Sequence, residues 1–271
     1  MNNYFSVLLS LYYKENPLFL RQCLDSIFNQ TLHPSEVVLV KDGQLNKELD
    51  QILNEYLIQY SELKIIPISQ NSGLGIALNE GLKYCSYDLV ARMDTDDIAK
   101  PNRFEKQLEV FNNQPDIDIV SSWIDEFEGD TNHILSIRKL PEHHKEIYQF
   151  AKKRNPINHP AVMFRKSSVL AAGGYKHFPL FEDYYLWVRM LMNGAKFYNI
   201  QESLLYFRSS SDMFKRRGGI NYALIELKFE QELLRIKFID KSIFIKNILI
   251  RFISRLIPNK LRTIIYKHLL R

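Results

Sequence analysis

Asp94, Asp96 and Asp97 place three carboxylates within four positions, directly after the apolar run Leu89-Val90-Ala91. Buried carboxylates repel one another, and each costs on the order of several kcal/mol unless it is paired or holds a cation. A divalent cation carrying a phosphorylated substrate accounts for the cluster. Mg²⁺ and Mn²⁺ take oxygen ligands, typically one or two carboxylates completed by phosphate oxygens. The competing reading is an acidic turn that caps the helix starting near Asn102. Asn71-Ser72-Gly73 also opens a helix, where free backbone N–H groups favour an anion, although Asn71 or Ser72 as an ordinary cap explains it equally well.

The elements that position these residues are legible from periodicity. Phe5–Leu11, Glu36–Val40, Leu63–Ile68 (interrupted at Pro67) and Leu89–Met93 read as buried strands. Leu18–Asn29, Lys47–Tyr60 and Leu74–Tyr84 carry apolar residues at helical spacing. Strands alternating with helices predict βαβ units and a mainly parallel sheet with helices on both faces. Ligands bind such sheets beyond the carboxyl ends of the strands. Asp42-Gly43, Asn71-Ser72-Gly73 and the carboxylate cluster all follow strands, so they are expected to converge on one edge. After about residue 100 the pattern becomes mixed. Helices are expected over Arg103–Phe111, Glu142–Lys153 and Glu182–Met192, with strands at Ile117–Trp123, Ile134–Ile137 and Val162–Phe164. Lys196–Ile200 and Leu204–Arg208 are expected to form a closing hairpin.

The 271 residues, 46% hydrophobic and 25% charged, suit one large domain with an appendage. Cys23 and Cys85 are the only cysteines. They are too few for a disulfide framework, which fits a reducing cytosolic setting. No signal peptide and no membrane span are expected. The net charge of +5 is unevenly spread, with +8 over Lys237–Arg271 and −3 over the rest. The body is therefore not expected to bind nucleic acid. In the basic tail, Ile245, Ile248, Leu249, Phe252, Ile253 and Leu256 recur at helical spacing among Lys246, Arg251 and Arg255. Pro258 breaks the pattern, and Leu261, Ile264 and Ile265 begin a second segment. A basic amphipathic helix suits the inner face of an anionic membrane, or else packs on the body or a partner.

Ordered motifs then resemble a known family. Ser6-Val7-Leu8-Leu9-Ser10-Leu11-Tyr12-Tyr13 resembles a nucleotide-facing first strand. Ser26-Ile27-Phe28-Asn29-Gln30-Thr31 resembles an S-I-x-x-Q-T helix end, and Val40-Lys41-Asp42-Gly43 a D-D-G-S loop. Asn71-Ser72-Gly73-Leu74-Gly75, with Ala77, Asn79 and Gly81, resembles an N-x-G-x-x-x-A-x-N-x-G helix start. Asp94-Thr95-Asp96 resembles a DXD motif, and Glu182-Asp183 a later E-D motif. Each is weak alone, but the ordered set is similar to family 2 glycosyltransferases of the GT-A fold. Asn155-Pro156-Ile157-Asn158-His159-Pro160 further resembles the bacterial subgroup that builds O-antigen, capsule or amylovoran. Lys41, Gln44 and Tyr13 depart from the family's usual Asp, Ser and Asn.

The resemblance implies an α/β GT-A domain over residues 1–215, with a nucleotide half to about 100 and an acceptor half after it. Residues 216–271 would form a helical basic extension. It implies inverting transfer of a sugar from a nucleotide-diphosphate donor, UDP-linked, to an undecaprenyl-diphosphate-linked glycan at the cytoplasmic membrane face. Mn²⁺ or Mg²⁺ would be held by Asp96 directly. Asp94 would contact the metal, directly or through water, or the ribose. Asp97 stays open among a ligand, a group behind the ligands and a helix cap. Arg92 would balance this charge at the donor. Ser10 and Tyr12 are expected at the nucleotide, Tyr12 stacking on the base or sitting in the core. Asp42 would accept the uracil imide N–H, against a plain Asp-Gly turn. Asp183, beside Glu182, is the expected general base, against an acidic pair favouring the helix dipole. Trp187 is a sugar platform or a core residue, and His159 an acceptor-pocket or structural residue. Arg208, Arg216 and Arg217 would reach a diphosphate or form a solvated loop. A sugar nucleotidyltransferase would need a Gly-rich loop that Ser10–Asn16 lacks. Intact Asp42, Asp96 and Asp183 argue against a non-catalytic subunit.

Overall fold

The computed structural model describes residues 4–209 and 219–256, with side chains placed up to Arg251. Strand β1 (Ser6–Leu11) leads through α1 (Pro17–Phe28) to β2 (Glu36–Asp42), then α2 (Lys47–Gln59), β3 (Leu63–Ile68), α3 (Leu74–Tyr84) and β4 (Leu89–Arg92). These four strands lie in the order β3-β2-β1-β4, all parallel. Their alternating side chains feed two cores. Val7, Leu9 and Leu11 face α1 and α2, while Leu8, Val38 and Val40 face α3. Burial on both faces is why the strands read as unbroken apolar runs. Pro17 occupies the first turn of α1 and Asn16 accepts the Leu18 N–H at 2.9 Å. Asn46 caps α2 by accepting from Leu49 at 2.9 Å. Pro67 does not interrupt β3, because β3 is the edge of the sheet and a missing N–H is tolerated there.

The second half continues the sheet with mixed directions. The order runs on from β4 through β8 (Met163–Arg165), β6 (Ile119–Phe127) and β9 (Phe197–Arg208) to β5 (Ile98–Ala99), with β7 (Ile134–Arg138) paired outside on β6. Helices α4 (Arg103–Asn113), α5 (His144–Ala151), α6 (Lys166–Ala171) and α7 (Glu182–Met192) cover it, and a 3₁₀ turn spans His159–Ala161. The expected closing hairpin is not formed. Phe197–Arg208 is one strand that runs parallel to β6 throughout, and the register shifts where polar Gln201 and Glu202 bulge outward. A bulge, unlike a turn, leaves the chain direction unchanged. Helices α8 (Ile220–Arg235) and α9 (Lys241–Leu256) pack antiparallel on the body, burying Phe229 and Leu233 among Phe181, Tyr184 and Trp187.

Candidate active site

The carboxylate cluster sits on the turn between β4 and β5, at the carboxyl ends of the parallel strands. Buried Arg103 of α4 fixes the end of β4, donating to the Arg92 carbonyl at 2.7 Å. Gln30 and Ser26, from the S-I-x-x-Q-T stretch, fix the far side. Gln30 donates to the Lys100 carbonyl at 2.8 Å, and Ser26 Oγ accepts from the Ala99 N–H at 3.0 Å. Thr95, between the two carboxylates, donates to Glu15 at 2.8 Å. The S-I-x-x-Q-T stretch thus holds the strand that follows the cluster.

Asp94, Asp96 and Asp97 bring one oxygen each to within 4.8 Å of one another. They are not equivalent. Asp94 is gripped by the buried Arg92 fork, Nη1 to Oδ2 at 3.0 Å and Nη2 to Oδ1. Burial, helped by Asp94 and Glu15, pushes the Asp96 carboxyl up to about 7. Burial, with Asp96 beside it, holds Asp97 well above the carboxylate range. Asp97 Oδ1 accepts the Arg208 N–H at 2.8 Å, while its buried Oδ2 has no hydrogen-bond partner. Three crowded oxygen donors, two of them raised by burial and by one another's charge, suit a hard divalent cation. Arg208 meets the same turn. Its Nε donates to the Asp96 carbonyl at 2.9 Å, and its guanidinium stacks on Phe19 at 3.8 Å.

Asp42 ends β2 and is only 2% exposed. Its carboxylate accepts from the Ser72 N–H at 2.7 Å, the Gly73 N–H at 3.1 Å and the Asn71 side chain at 3.2 Å. The expected open anion site at Asn71 and Gly73 is therefore filled by the chain's own carboxylate. Gly73, at φ +89°, opens α3 in a conformation that disfavours a side chain. Ser10 is partly buried near the end of β1, and Tyr12 beyond it is 40% exposed, edge-to-face with Tyr13.

The remaining candidates gather around the start of α7. Asp183 accepts from Asn155 Nδ2 at 2.6 Å, and burial raises its carboxyl above the ordinary range. Glu182, also raised by burial, packs against Gly75 of α3. His159 shares a 2.8 Å hydrogen bond with the Tyr175 hydroxyl, and burial drives its imidazole well below its usual value. It thus sits in a packed network with Tyr175 and Trp187. Trp187 is 0% exposed and edge-on to His159, so it is a core residue and not a sugar platform. Asn79 clamps the backbone of Tyr175 from both sides, donating to its carbonyl at 2.7 Å and accepting its N–H at 2.8 Å. Arg92 is the electrostatic link between the two groups: it pairs with Asp94, and its charge also stabilises ionised Asp183. Arg208 lies with the carboxylate cluster. Arg216 and Arg217 lie outside the described residues. Glu15 and Asn155 went unassigned at sequence level, because a loop carboxylate or amide carries no periodic signal.

The sequence profile of glycosyl transferase family 2 matches residues 6–173. The chain belongs to that family. This glycosyltransferase is 42% identical over 267 residues to the UDP-Gal:alpha-D-GlcNAc-diphosphoundecaprenol beta-1,3-galactosyltransferase of Escherichia coli, covering 98% of this chain and 96% of that one. It is 41% identical to the amylovoran biosynthesis glycosyltransferase AmsE of Erwinia amylovora, covering 97% and 98%. The fold is that of GT-A glycosyltransferases. S. aureus TarS 1-349 in complex with UDP-GlcNAc superposes with a TM-score of 0.64 at 16% identity, over 93% of this chain and 72% of that one. A mannosyltransferase of Pyrobaculum calidifontis in complex with GDP-Man and Mn²⁺ gives 0.64 at 15% identity, over 85% and 64%.

Proposed function

We propose that this family 2 glycosyltransferase moves one sugar, with inversion, from a UDP-sugar to an undecaprenyl-diphosphate-linked glycan during surface polysaccharide synthesis. The observation that carries this reading is the near full-length similarity to an enzyme named for a UDP-linked donor and a diphosphoundecaprenol acceptor. Asp96, Asp94 and Asp97 would hold Mn²⁺ or Mg²⁺, which supplies positive charge where the leaving diphosphate gathers negative charge. Asp42 shapes the nucleotide loop through Ser72 and Gly73, and Tyr12 offers an exposed face to the base. Arg92 holds Asp94 in place. Asp183 takes the proton of the acceptor hydroxyl as that oxygen bonds to the anomeric carbon and the bond to the diphosphate breaks. Asn155 orients the Asp183 carboxylate. The division into a transferase domain to about residue 215 and a basic extension belongs to the same proposal. So does a peripheral position on the cytoplasmic membrane face, with α9 and the tail on anionic lipid.

Asp183→Asn tests the base. It is expected to lower turnover by about 10²–10⁴-fold, while UDP binding measured by calorimetry survives. Near-normal turnover would remove Asp183 from the role. Chelation should abolish transfer, and added Mn²⁺ should restore it. Full activity in excess chelator would refute the metal assignment.

A further inference from the structure

We propose that Arg251, on the body-facing side of α9, is a positioning residue for the proton-accepting carboxylate: it fixes the loop that carries Asn155, and Asn155 aims Asp183. The inference rests on the role proposed above for Asp183. The carboxyl end of a helix leaves carbonyls without intrahelical partners. At the end of α5, three successive carbonyls take side-chain donors. The Tyr184 hydroxyl donates to the Ala151 carbonyl at 2.5 Å, Asn247 Nδ2 to the Lys152 carbonyl at 2.9 Å, and Arg251 Nη2 to the Lys153 carbonyl. Two residues on, Asn155 Nδ2 donates to Asp183 Oδ2 at 2.6 Å, and Asp183 is the neighbour of Tyr184. The chain from Ala151 to Asn155 is therefore held at both ends by α7 and in the middle by α9.

The middle grip is rigid. Arg251 pairs with Glu226 of α8 and lies 3.4 Å from Glu230, and these two carboxylates are 4% and 0% exposed. Asn247 donates to Glu230 at 2.9 Å as well as to Lys152. Its spacing of four from Arg251 puts both donors on one face of α9. A planar guanidinium reaches a carboxylate and a carbonyl at once, and its charge suits the carboxyl end of α5. A helix that only anchored the chain to a surface would need no buried ion pair on its inner side, where such pairs are costly to desolvate. Asn155 depends on this loop for its orientation, because its Oδ1 also accepts the Ile157 N–H at 3.3 Å. Its hydrogen bond favours the ionised form of Asp183 against the effect of burial. Arg92 of β4, Arg138 of β7, Tyr175 and the adjacent Glu182 also act on Asp183 through their charge. Arg251 acts on it through the loop.

The test reads the acid limb of the pH profile of kcat/KM, which reports the proton-accepting group of the free enzyme. With Asn155 displaced, Asp183 keeps its proton to higher pH. Arg251→Gln should therefore move the limb up by about 1 pH unit, the scale of a lost hydrogen bond to a charged group. It should also lower kcat by about 10–100-fold, the scale of a small misplacement of a reacting group. UDP binding measured by calorimetry should stay unchanged, since no residue placed at the donor is altered. Asn155→Ala should move the limb by a similar amount, and the double variant no further, because one residue acts through the other. Arg251→Lys keeps the charge but not the fork, so its limb should lie between those of Arg251→Gln and the wild type. Asn247→Ala changes no charge and should move the limb in the same direction. It carries the test if Arg251→Gln does not fold, as judged by circular dichroism. A lower melting temperature with an unmoved limb overturns the proposal, because Arg251 would then only hold α9 on the body. Additive limb shifts in the double variant overturn it as well. Asp183→Asn is the control. If it stays active, the base assignment fails and the positioning role falls with it; if it is inactive while the limb of Arg251→Gln is unmoved, the positioning role alone fails.

Discussion

Asp97 differs from its neighbours in one atom. Asp94 is paired with Arg92, and Asp96 is only partly buried, but Asp97 is 0% exposed and keeps one oxygen bare. Burial, with Asp94 and Glu15 nearby, raises the Asp96 carboxyl from 3.8 to about 7. Between those values the folded chain holds a proton that the unfolded chain has released. The stabilisation is complete below about pH 4 and is lost as pH rises through about 7. In chelator, the melting temperature of the wild type should therefore drop more between pH 5.5 and 8 than that of Asp96→Asn, by on the order of a few degrees. Mn²⁺ should stabilise the wild type more at pH 8 than at pH 6, since cation and proton compete. Parallel melting curves for wild type and variant across this range would refute the account. Spacing alone marked this triplet as a cation site but could not rank its members. The ranking depends on Arg92 and on Arg208, which lies 111 residues from Asp97.

At the scale of elements, α3 joins the two halves of the site. Ala77 and Gly81 press it onto the sheet, and a methyl group at Gly81 would lie 2.4 Å from Leu8 Cδ1 and 2.7 Å from Val40 Cγ2. Its opposite face presents Asn79 to Tyr175. Gly81→Ala should destabilise the protein by about 1–3 kcal/mol, the usual cost of overpacking a filled core. Urea denaturation checks this, and a loss under about 0.5 kcal/mol, the scale of a neutral surface change, would mean that the helix shifts without strain. The limits of α3 and α7 were fully legible in the sequence, because Gly73 and the Glu182-Asp183 pair mark their starts. Pro67 and the bulge at Gln201-Glu202 were not, since both depend on which strand lies alongside. An edge partner makes the proline harmless, and β6 holds both parts of Phe197–Arg208 in one direction. Trp187 was ambiguous for a related reason. Helical spacing put it near Asp183, but only the packed α8 shows that the space around it is full.

At the scale of the molecule, the amphipathic tail divides into two faces. Asn247 of α9 donates to the Lys152 carbonyl and to Glu230, Arg251 pairs with Glu226, and Ile243, Phe244 and Ile248 are partly buried. Ile245, Leu249 and Ile250 stay at least half exposed beside Lys241 and Lys246. Apolar periodicity counted both sets together, because the body that claims one of them is invisible in the tail's own sequence. Phe252, Ile253 and Leu256 have no described side chains, and Pro258, Leu261, Ile264 and Ile265 lie outside the described residues. Ile245→Glu with Leu249→Glu should leave the fold intact and reduce flotation with anionic liposomes by at least about tenfold, since each exposed side chain would otherwise bury apolar area. Equal flotation of variant and wild type would remove α9 from membrane binding. Asp42 has a consequence at this scale as well. It occupies the free N–H groups at the amino-terminal end of α3, so a diphosphate gains nothing by settling there, and the proposed donor site is the turn with three acidic side chains. If that turn holds a cation as proposed, the cation supplies the attraction for a diphosphate that the three acidic side chains lack. On the proposed mechanism the cation therefore arrives first, or in the company of the nucleotide.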